Sequence, residues 1–296
     1  MMVRMTKLLS VEMLEAAASG DAEAVTKALE RGADLWSENL SGQTALGLAL
    51  AQQEEDLALV LLGRMCQSNP SLDWLTEKAR TTGNTYLHQA IAGRCFRAMG
   101  MLLKVAGSLR STALRQENAQ GLTPLLLAIQ SHQADRYATA LLKADQGLLE
   151  DVQLGFSPLS LAVNENKESL VASLLDLGAS VGLPENRPAW SCIQSMPMVE
   201  RLSKKVDYAT IKTSEGENIL HVLAKRGAEI KAPLLKAVLR LVLPSNPGAL
   251  LERCRRGRTV LHVAAAHRCS ETILDALLKE GARWTALDEE GRTPLS

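Results

Sequence analysis

A chain of 296 residues with 33 Lys plus Arg against 33 Asp plus Glu has a formal net charge of +0, so no whole-chain field draws in a polyanion. Aromatic residues make up 3% of it, which excludes an extended base-stacking platform and leaves an aliphatic core. Cys66, Cys95, Cys192, Cys254 and Cys269 form no CxxC pair, so neither a disulfide framework nor a zinc knuckle is indicated, and free thiols in a reducing, cytoplasmic setting are expected.

In chain order, the opening MMVRMTKLLSVEMLEAAASGD has its apolar run broken by Glu12 before a signal-peptide core can form. No stretch approaches the roughly 18 uninterrupted apolar residues of a membrane-spanning helix. A first copy of a repeated pattern starts near residue 11 without an opening turn and closes on Gly32-Ala33-Asp34. From there the pattern recurs as GQTALGLAL at Gly42, GNTYLHQAI at Gly83, GLTPLLLAI at Gly121, GFSPLSLAV at Gly155, GENILHVLA at Gly216, GRTVLHVAA at Gly257 and GRTPLS at Gly291. The long gap between Gly155 and Gly216 holds a degenerate copy near residue 185, in which Pro188 aligns with Pro124 and Pro158. Glu185 stands there in the place of the glycine, Arg187 of the threonine and Trp190 of the leucine.

Each copy predicts a pair of helices. Thr44, Thr85, Thr123, Ser157, Asn218 and Thr259 carry a side-chain oxygen that can cap the first amides of a helix, and Pro124, Pro158 and Pro294 suit its first position. A second helix follows with an apolar stripe, Leu170, Val171, Leu174 and Leu175 in one copy and Ile273, Leu274, Leu277 and Leu278 in another, expected to face neighbouring copies. One helix pair cannot bury its own stripe, whereas stacked pairs bury a continuous core. Segments 63–80, 104–118 and 243–256 lengthen three copies; extended loops or short extra helical turns are expected there, with turns at Asn69-Pro70 and Asn246-Pro247. The partial copy 291–296 stops where another helix should begin, as in a fragment or an array that ends uncapped.

These residues resemble the ankyrin repeat, whose signature is a glycine, then T-P-L-H-x-A, and about 23 residues later Gly-Ala, as at Gly178-Ala179 and Gly281-Ala282. The resemblance covers nearly the whole chain. It implies an all-α ankyrin-repeat solenoid of helix-turn-helix units joined by hairpin loops, a single array over 1–296 with units starting near 11, 42, 83, 121, 155, 185, 216 and 257. His88, His221 and His262 hold the fourth position of the motif and are read as structural. LGLAL and ILHVLAKRG are also similar to the arrays of rabankyrin-type endosomal proteins, which end in a lipid-binding FYVE zinc finger; the cysteine pairs of such a finger are absent from these 296 residues.

In this family partners bind on the hairpin tips and the exposed side of the first helix. The resemblance places Thr81, Thr82, Asn84, Ala119, Gln120, Leu122, Gln153, Leu154 and Phe156 on the tips, with Gln130, Ser131, Asn164 and Glu165 on the adjoining helices. Leu122, Leu154 and Phe156 are apolar where polar residues are usual, which suggests an apolar tip patch or packing between hairpins. Further along, Arg253, Arg255, Arg256 and Arg258 surround one hairpin, with Lys225, Arg226, His267 and Arg268 expected nearby. Arginine pairs bidentately with carboxylate or phosphate, so this cluster suits an acidic or phosphorylated segment of a partner, and a merely solvated face is the alternative.

Chemical motifs are missing. The chain has no GxxxxGK[ST], GxGxxG, HExxH or GxSxG, and Cys269 near His267 has no third group to orient a base. His262 and His267, five apart, fall on different helical faces. The expected function is therefore a non-catalytic scaffold or adaptor that binds partner proteins, with no cofactor and no metal; nucleic acid is disfavoured, and a membrane is reached only indirectly. The alternatives are binding of anionic lipid or nucleic acid through the arginine cluster, or a regulatory array within a larger endosomal trafficking protein.

Overall fold

At Thr44, Thr85, Thr123, Ser157, Asn218 and Thr259 a helix starts. The computed structural model describes residues 2–69, 71–182 and 188–296, and among these the secondary structure is helical apart from two isolated bridges, Glu38 with Thr44 and Gln153 with Phe156. Glu185, Arg187 and Pro70 lie outside the described residues. The chain divides into two compact bodies, Met1–Leu148 and Leu149–Ser296.

The N-terminal body holds α1 (Met2–Ser19), α2 (Ala22–Glu30), α3 (Ala45–Ala51), α4 (Glu55–Ser68), α5 (Tyr86–Ala92), α6 (Phe96–Val105), α7 (Arg110–Leu114), α8 (Pro124–Gln130) and α9 (Ala134–Ala144). Inner helices α3, α5 and α8 pack side by side, and outer helices α4, α6 and α9 form a second row behind them. The C-terminal body holds α10 (Pro158–Asn164), α11 (Glu168–Asp176), a 3-10 turn at Ala189–Cys192, α12 (Met196–Ser203), α13 (Ile219–Ala224), α14 (Ala232–Val242), α15 (Val260–Ala266) and α16 (Glu271–Lys279). There the inner row is α10, the 3-10 turn, α13 and α15, and α12, α14 and α16 pack in sequence behind it.

The caps act as their residue types dictate. Thr44 Oγ1 accepts from the Gly47 amide at 3.2 Å, Ser157 Oγ from Ser160 at 3.2 Å, and Asn218 Oδ1 from both Leu220 and His221. Pro124 and Pro158 occupy the first turn of α8 and α10. Pro294 falls in an isolated turn that Ser296 closes through Thr293 rather than in a helix. In the degenerate copy, Pro188 is followed by a single 3-10 turn with Trp190 and Cys192 buried, so the inner helix is reduced there to four residues.

The outer stripes are buried as their spacing requires: Leu170, Val171, Leu174 and Leu175 on α11, Ile273 and Leu277 on α16. Leu274 is half-buried and Leu278 is 39% exposed, a departure from the expectation that all four α16 residues face neighbours. Among the described outer helices α16 packs against α14 alone, so its far side stays open. The long segments hold short turns that seal the outer row. Asp73–Leu75 buries Trp74 and Leu75, α7 buries Ala113 and Leu114, and the 243–256 segment folds as turns over Ala249 and Leu250.

Hairpins bond to hairpins. The Ala119 amide donates to Thr82 O at 3.0 Å and that of Arg255 to Glu215 O at 2.9 Å, one copy apart. Gly83 has a left-handed φ of +65°, and a Cβ there would lie 2.6 Å from the Ala119 nitrogen, so the hairpin's backbone conformation and the stacking both demand glycine. Gly93, between α5 and α6, has an ordinary φ, yet a Cβ there would lie 1.9 Å from the Leu50 carbonyl oxygen of the preceding pair. Gly93→Ala is expected to destabilise the protein by about 1–3 kcal/mol through this overpacking. Gly100→Ala, on α6 with open space around its Cβ, should instead be stabilising by up to about 1 kcal/mol. Urea unfolding of both variants checks the contrast, and equal stability of Gly93→Ala and the parent would contradict the close approach.

Candidate functional site

The motif histidines bind the copies to one another. His88 Nδ1 accepts from the Thr85 amide at 3.3 Å and stands 2.8 Å from Thr85 Oγ1, so its Nε2 carries the proton and donates to Leu122 O at 2.8 Å, in the next hairpin. His262 repeats this with Thr259 and, at 3.0 Å, Arg292 O. At His221 the cap is Asn218, whose Oδ1 faces Nδ1 at 2.8 Å while Arg258 O faces Nε2 at 3.1 Å; a neutral ring can donate to one of these oxygens only. Asn218 is held in turn by donating to Ala249 O and to Glu252, which also accepts from Asn246. These histidines are structural, and burial lowers the pKa of His88 to about 4 and that of His221 below the usual imidazole value.

The caps and the hairpin bonds shape a cleft of about 250 Å³ in the C-terminal body. Lys225 follows α13, Arg255, Arg256 and Arg258 come from the hairpin before α15, and His267 caps the end of α15; all five line the cleft. Glu215 and Glu217 of the preceding hairpin line it as well. Lys225 Nζ pairs with Glu217 at 2.6 Å, Arg255 reaches Glu215 at 3.4 Å, and Arg258 stands 3.7 Å from Asp288. Arg256 is exposed and has no carboxylate within ion-pair distance among the described residues. The cleft thus sets four cations against two carboxylates, which leaves a local excess of positive charge in a chain that is neutral as a whole.

Arg253 and Arg268 are exposed but do not line this cleft. Arg226 does not line it either. Its guanidinium is half-buried and donates to the backbone carbonyls of Ile193 and Ser191, the latter at 2.8 Å, which ties the turn after α13 to the degenerate copy. Leu122 is buried in the N-terminal body, which fits packing between hairpins and not an exposed tip patch, because the peptide that accepts from His88 is drawn under the neighbouring hairpin. In the C-terminal body Leu154 is 59% exposed and Phe156 half-buried, flanking a hairpin in which Gln153 and Phe156 exchange two 2.9 Å backbone bonds.

Sequence reasoning passed over Glu215 and Glu217. Their signal was available in the repeat itself, because residues at matching places in consecutive hairpins face each other, as Glu215 and Arg255 do across 40 positions. Burial pushes the Cys95 thiol up to about 11 and the Cys269 thiol above its usual value, and Cys269 Sγ is 3.3 Å from Ala224 O, so neither is poised as a thiolate. No cluster of three or more metal-ligating side chains occurs among the described residues, and no helix is long and apolar enough to cross a membrane.

The depressed pKa of His88 has a stability consequence of definite sign. Above pH 6.5 the ring is neutral whether the chain is folded or not; between 6.5 and about 4 the unfolded chain takes up a proton that the folded chain refuses, so stability falls as pH drops through that window. In His88→Ser, which installs the residue that Ser160 provides in another copy, that part of the acid sensitivity should vanish. The stability difference between parent and variant should shrink by up to about 3 kcal/mol from pH 6.5 to 4, read from urea midpoints. A difference that stays constant with pH would refute the assignment of a neutral ring.

Residues 256–289, which take in Arg256 and Arg258 of the cleft, α15 and α16, match the ankyrin-repeat family model, and no curated protein matches the chain. The matched copy shares its capped inner helix, outer helix and hairpin with the copies beginning at Gly42, Gly83, Gly121, Gly155 and Gly216. With its motif histidines bridging consecutive copies, the all-helical repeat is consistent with an ankyrin-repeat solenoid, and residues 256–289 are similar to an ankyrin repeat.

Proposed function

We propose that the chain is a non-catalytic scaffold that holds partner proteins, and that the cleft bounded by Lys225, Arg255, Arg256, Arg258 and His267 takes an acidic or phosphorylated segment of one of them. The ankyrin repeat is a protein–protein interaction module and its family is generally non-catalytic. The observation that carries the finer reading is Arg256, exposed on the cleft beside Arg255 and Arg258, whose own carboxylate contacts are long. A phosphate or carboxylate brought between them would replace weak intramolecular pairs with bidentate ones, at little conformational cost. Arg253 extends the positive surface beside the cleft, whereas Arg226 supports it from within. Leu154 and Phe156 offer an apolar contact on an earlier hairpin of the same body.

The test is fluorescence anisotropy with a labelled peptide that carries a central phosphoserine flanked by Asp and Glu. Replacing Arg255, Arg256 and Arg258 together with Glu should weaken binding at least about tenfold, since close interfacial charge pairs couple by more than 1.4 kcal/mol. The thermal unfolding midpoint should hold in the double variant of Arg255 and Arg256, both exposed, since an exposed ion pair contributes about 0–1 kcal/mol, whereas Arg258, 28% exposed beside the buried Asp288, adds a stability cost of its own in the triple variant. Equal binding by parent and triple variant would remove the cleft from the reading. Flotation of the parent protein with anionic phospholipid vesicles, lost in the triple variant while the peptide goes unbound, would favour the lipid alternative instead.

A further inference from the structure

The hairpin before the arginine tip carries the other half of a charge pattern. It turns through Thr213, Ser214, Glu215 and Gly216, closed by the Gly216 amide donating to Thr213 O at 2.9 Å. The next turns through Cys254, Arg255, Arg256 and Gly257 in the same way, so Ser214 and Glu215 match Arg255 and Arg256 in the repeat. The Arg255 amide donates to Glu215 O, which holds the two tips together, and Ser214 is the residue immediately before that contact. Ser214 is exposed, and its hydroxyl makes no hydrogen bond among the described residues. Thr213 is engaged instead, its Oγ1 accepting from the Glu217 amide at 3.2 Å. In the copies beginning at Gly42, Gly83, Gly121 and Gly155 the place of Ser214 is taken by Leu40, Thr81, Ala119 and Gln153. Thr81 is the other hydroxyl, and the hairpin after it presents Ala119 and Gln120, neither of them charged. Among these hairpins an open hydroxyl precedes a tip of two arginines at Ser214 alone.

A phosphorylated serine carries a charge of about −1.5 to −2 and three strong acceptor oxygens. The cleft sets Lys225, Arg255, Arg256 and Arg258 against Glu215 and Glu217, an excess of two positive charges that one such phosphate offsets. Arg255 would give up only its 3.4 Å contact with Glu215, and Arg256 no ion pair at all, in exchange for bidentate pairing. The Glu215 side chain is 53% exposed, so it can turn to solvent and away from the phosphate beside it. We propose that Ser214 is a phosphorylation site whose phosphate pairs with Arg255 and Arg256 of the next hairpin, filling the cleft from within the chain and closing it to partner segments. The closing step rests on the cleft being the site for an acidic or phosphorylated segment; the pairing does not. The kinase is of the class that accepts serine beside acidic residues, since exposed Glu215 follows the acceptor directly. ATP is the phosphoryl donor. Ser214 Oγ bonds to the γ-phosphorus, the bond from that phosphorus to the β,γ-bridging oxygen breaks, ADP leaves with the electron pair, and the hydroxyl proton passes to the kinase's base.

Treating the folded full chain with an acidophilic serine kinase and Mg-ATP should place phosphate on Ser214, read by tandem mass spectrometry, and Ser214→Ala should lose that label. A full chain given phosphoserine at 214 during translation, by a suppressor tRNA, separates the later steps. In a phosphorus NMR titration its second phosphate pKa should lie at least about half a unit below that of the same phosphoserine beside Arg255→Gln and Arg256→Gln, since guanidinium pairing favours the dianion. The phosphorylated chain should also bind the labelled phosphoserine peptide at least about tenfold more weakly than the parent, because the cleft then holds like charge against it. A Ser214 that stays unlabelled would overturn the inference. So would a phosphate pKa that is the same with and without the two arginines, or undiminished peptide binding by the phosphorylated chain. If the unmodified parent leaves the peptide unbound, the reading of the cleft as a partner site fails, and the phosphate titration still decides the pairing by itself.

Discussion

No helix pair in this protein can hide its own leucines, and every other feature answers to that constraint. A buried leucine contributes roughly 1.5–3 kcal/mol only when something covers it, and here the cover comes from the pair before or after. Register between neighbours must then be set by something other than apolar contact, which is indifferent to small slips. The capped threonine, its histidine and the carbonyl of the next hairpin form that fixed link. Thr85 orients His88, His88 reaches Leu122 O, and the same chain of contacts runs from Thr259 through His262 to Arg292 O. The link demands a neutral ring with its proton on Nε2, which ties the register of the stack to a protonation state.

The same link makes the binding surface. Because the hairpin at Arg255 is bonded to the one before it through Glu215 O, side chains from these consecutive copies are held at fixed separations, and a cleft such as that between Glu217, Lys225 and Arg258 arises without any loop of its own. The surface is stiff where the repeat is regular, and a partner meets groups already in place, which lowers the ordering cost of association. Its chemistry is then free to vary, since exposed tip residues such as Arg255 and Arg256 answer to no packing demand. That freedom explains how a neutral chain can gather cations at one end of one body.

Much of this was legible in the residues. The seven glycine-led motifs located the hairpins, the caps located the inner helices, and the histidines could be assigned a structural task from their place in the motif alone. What stayed hidden depends on distances between copies. The burial of Leu122 follows from its carbonyl being drawn toward His88, 34 positions away, and the half-buried state of Arg226 follows from acceptors at Ser191 and Ile193. Glu215 and Glu217 attracted no notice because a local reading counts the arginines of one hairpin and not the acids of its neighbour.

The replacement of an inner helix by the four residues Ala189–Cys192 bears on how force and heat travel through the C-terminal body. In a one-dimensional array, cooperativity is transmitted by nearest-neighbour interfaces, and the smallest interface decides where the array parts. The turn packs closely against α10 but meets α13 over a smaller contact than the full helices α13 and α15 share, with Trp190 as its main filler. The body is thereby given a seam: the segment up to α11 and the segment from α13 to α16 can open as separate blocks, with amide exchange fastest along the turn between them. Such a seam lets the C-terminal body flex at one point while the surfaces on either side keep their shape.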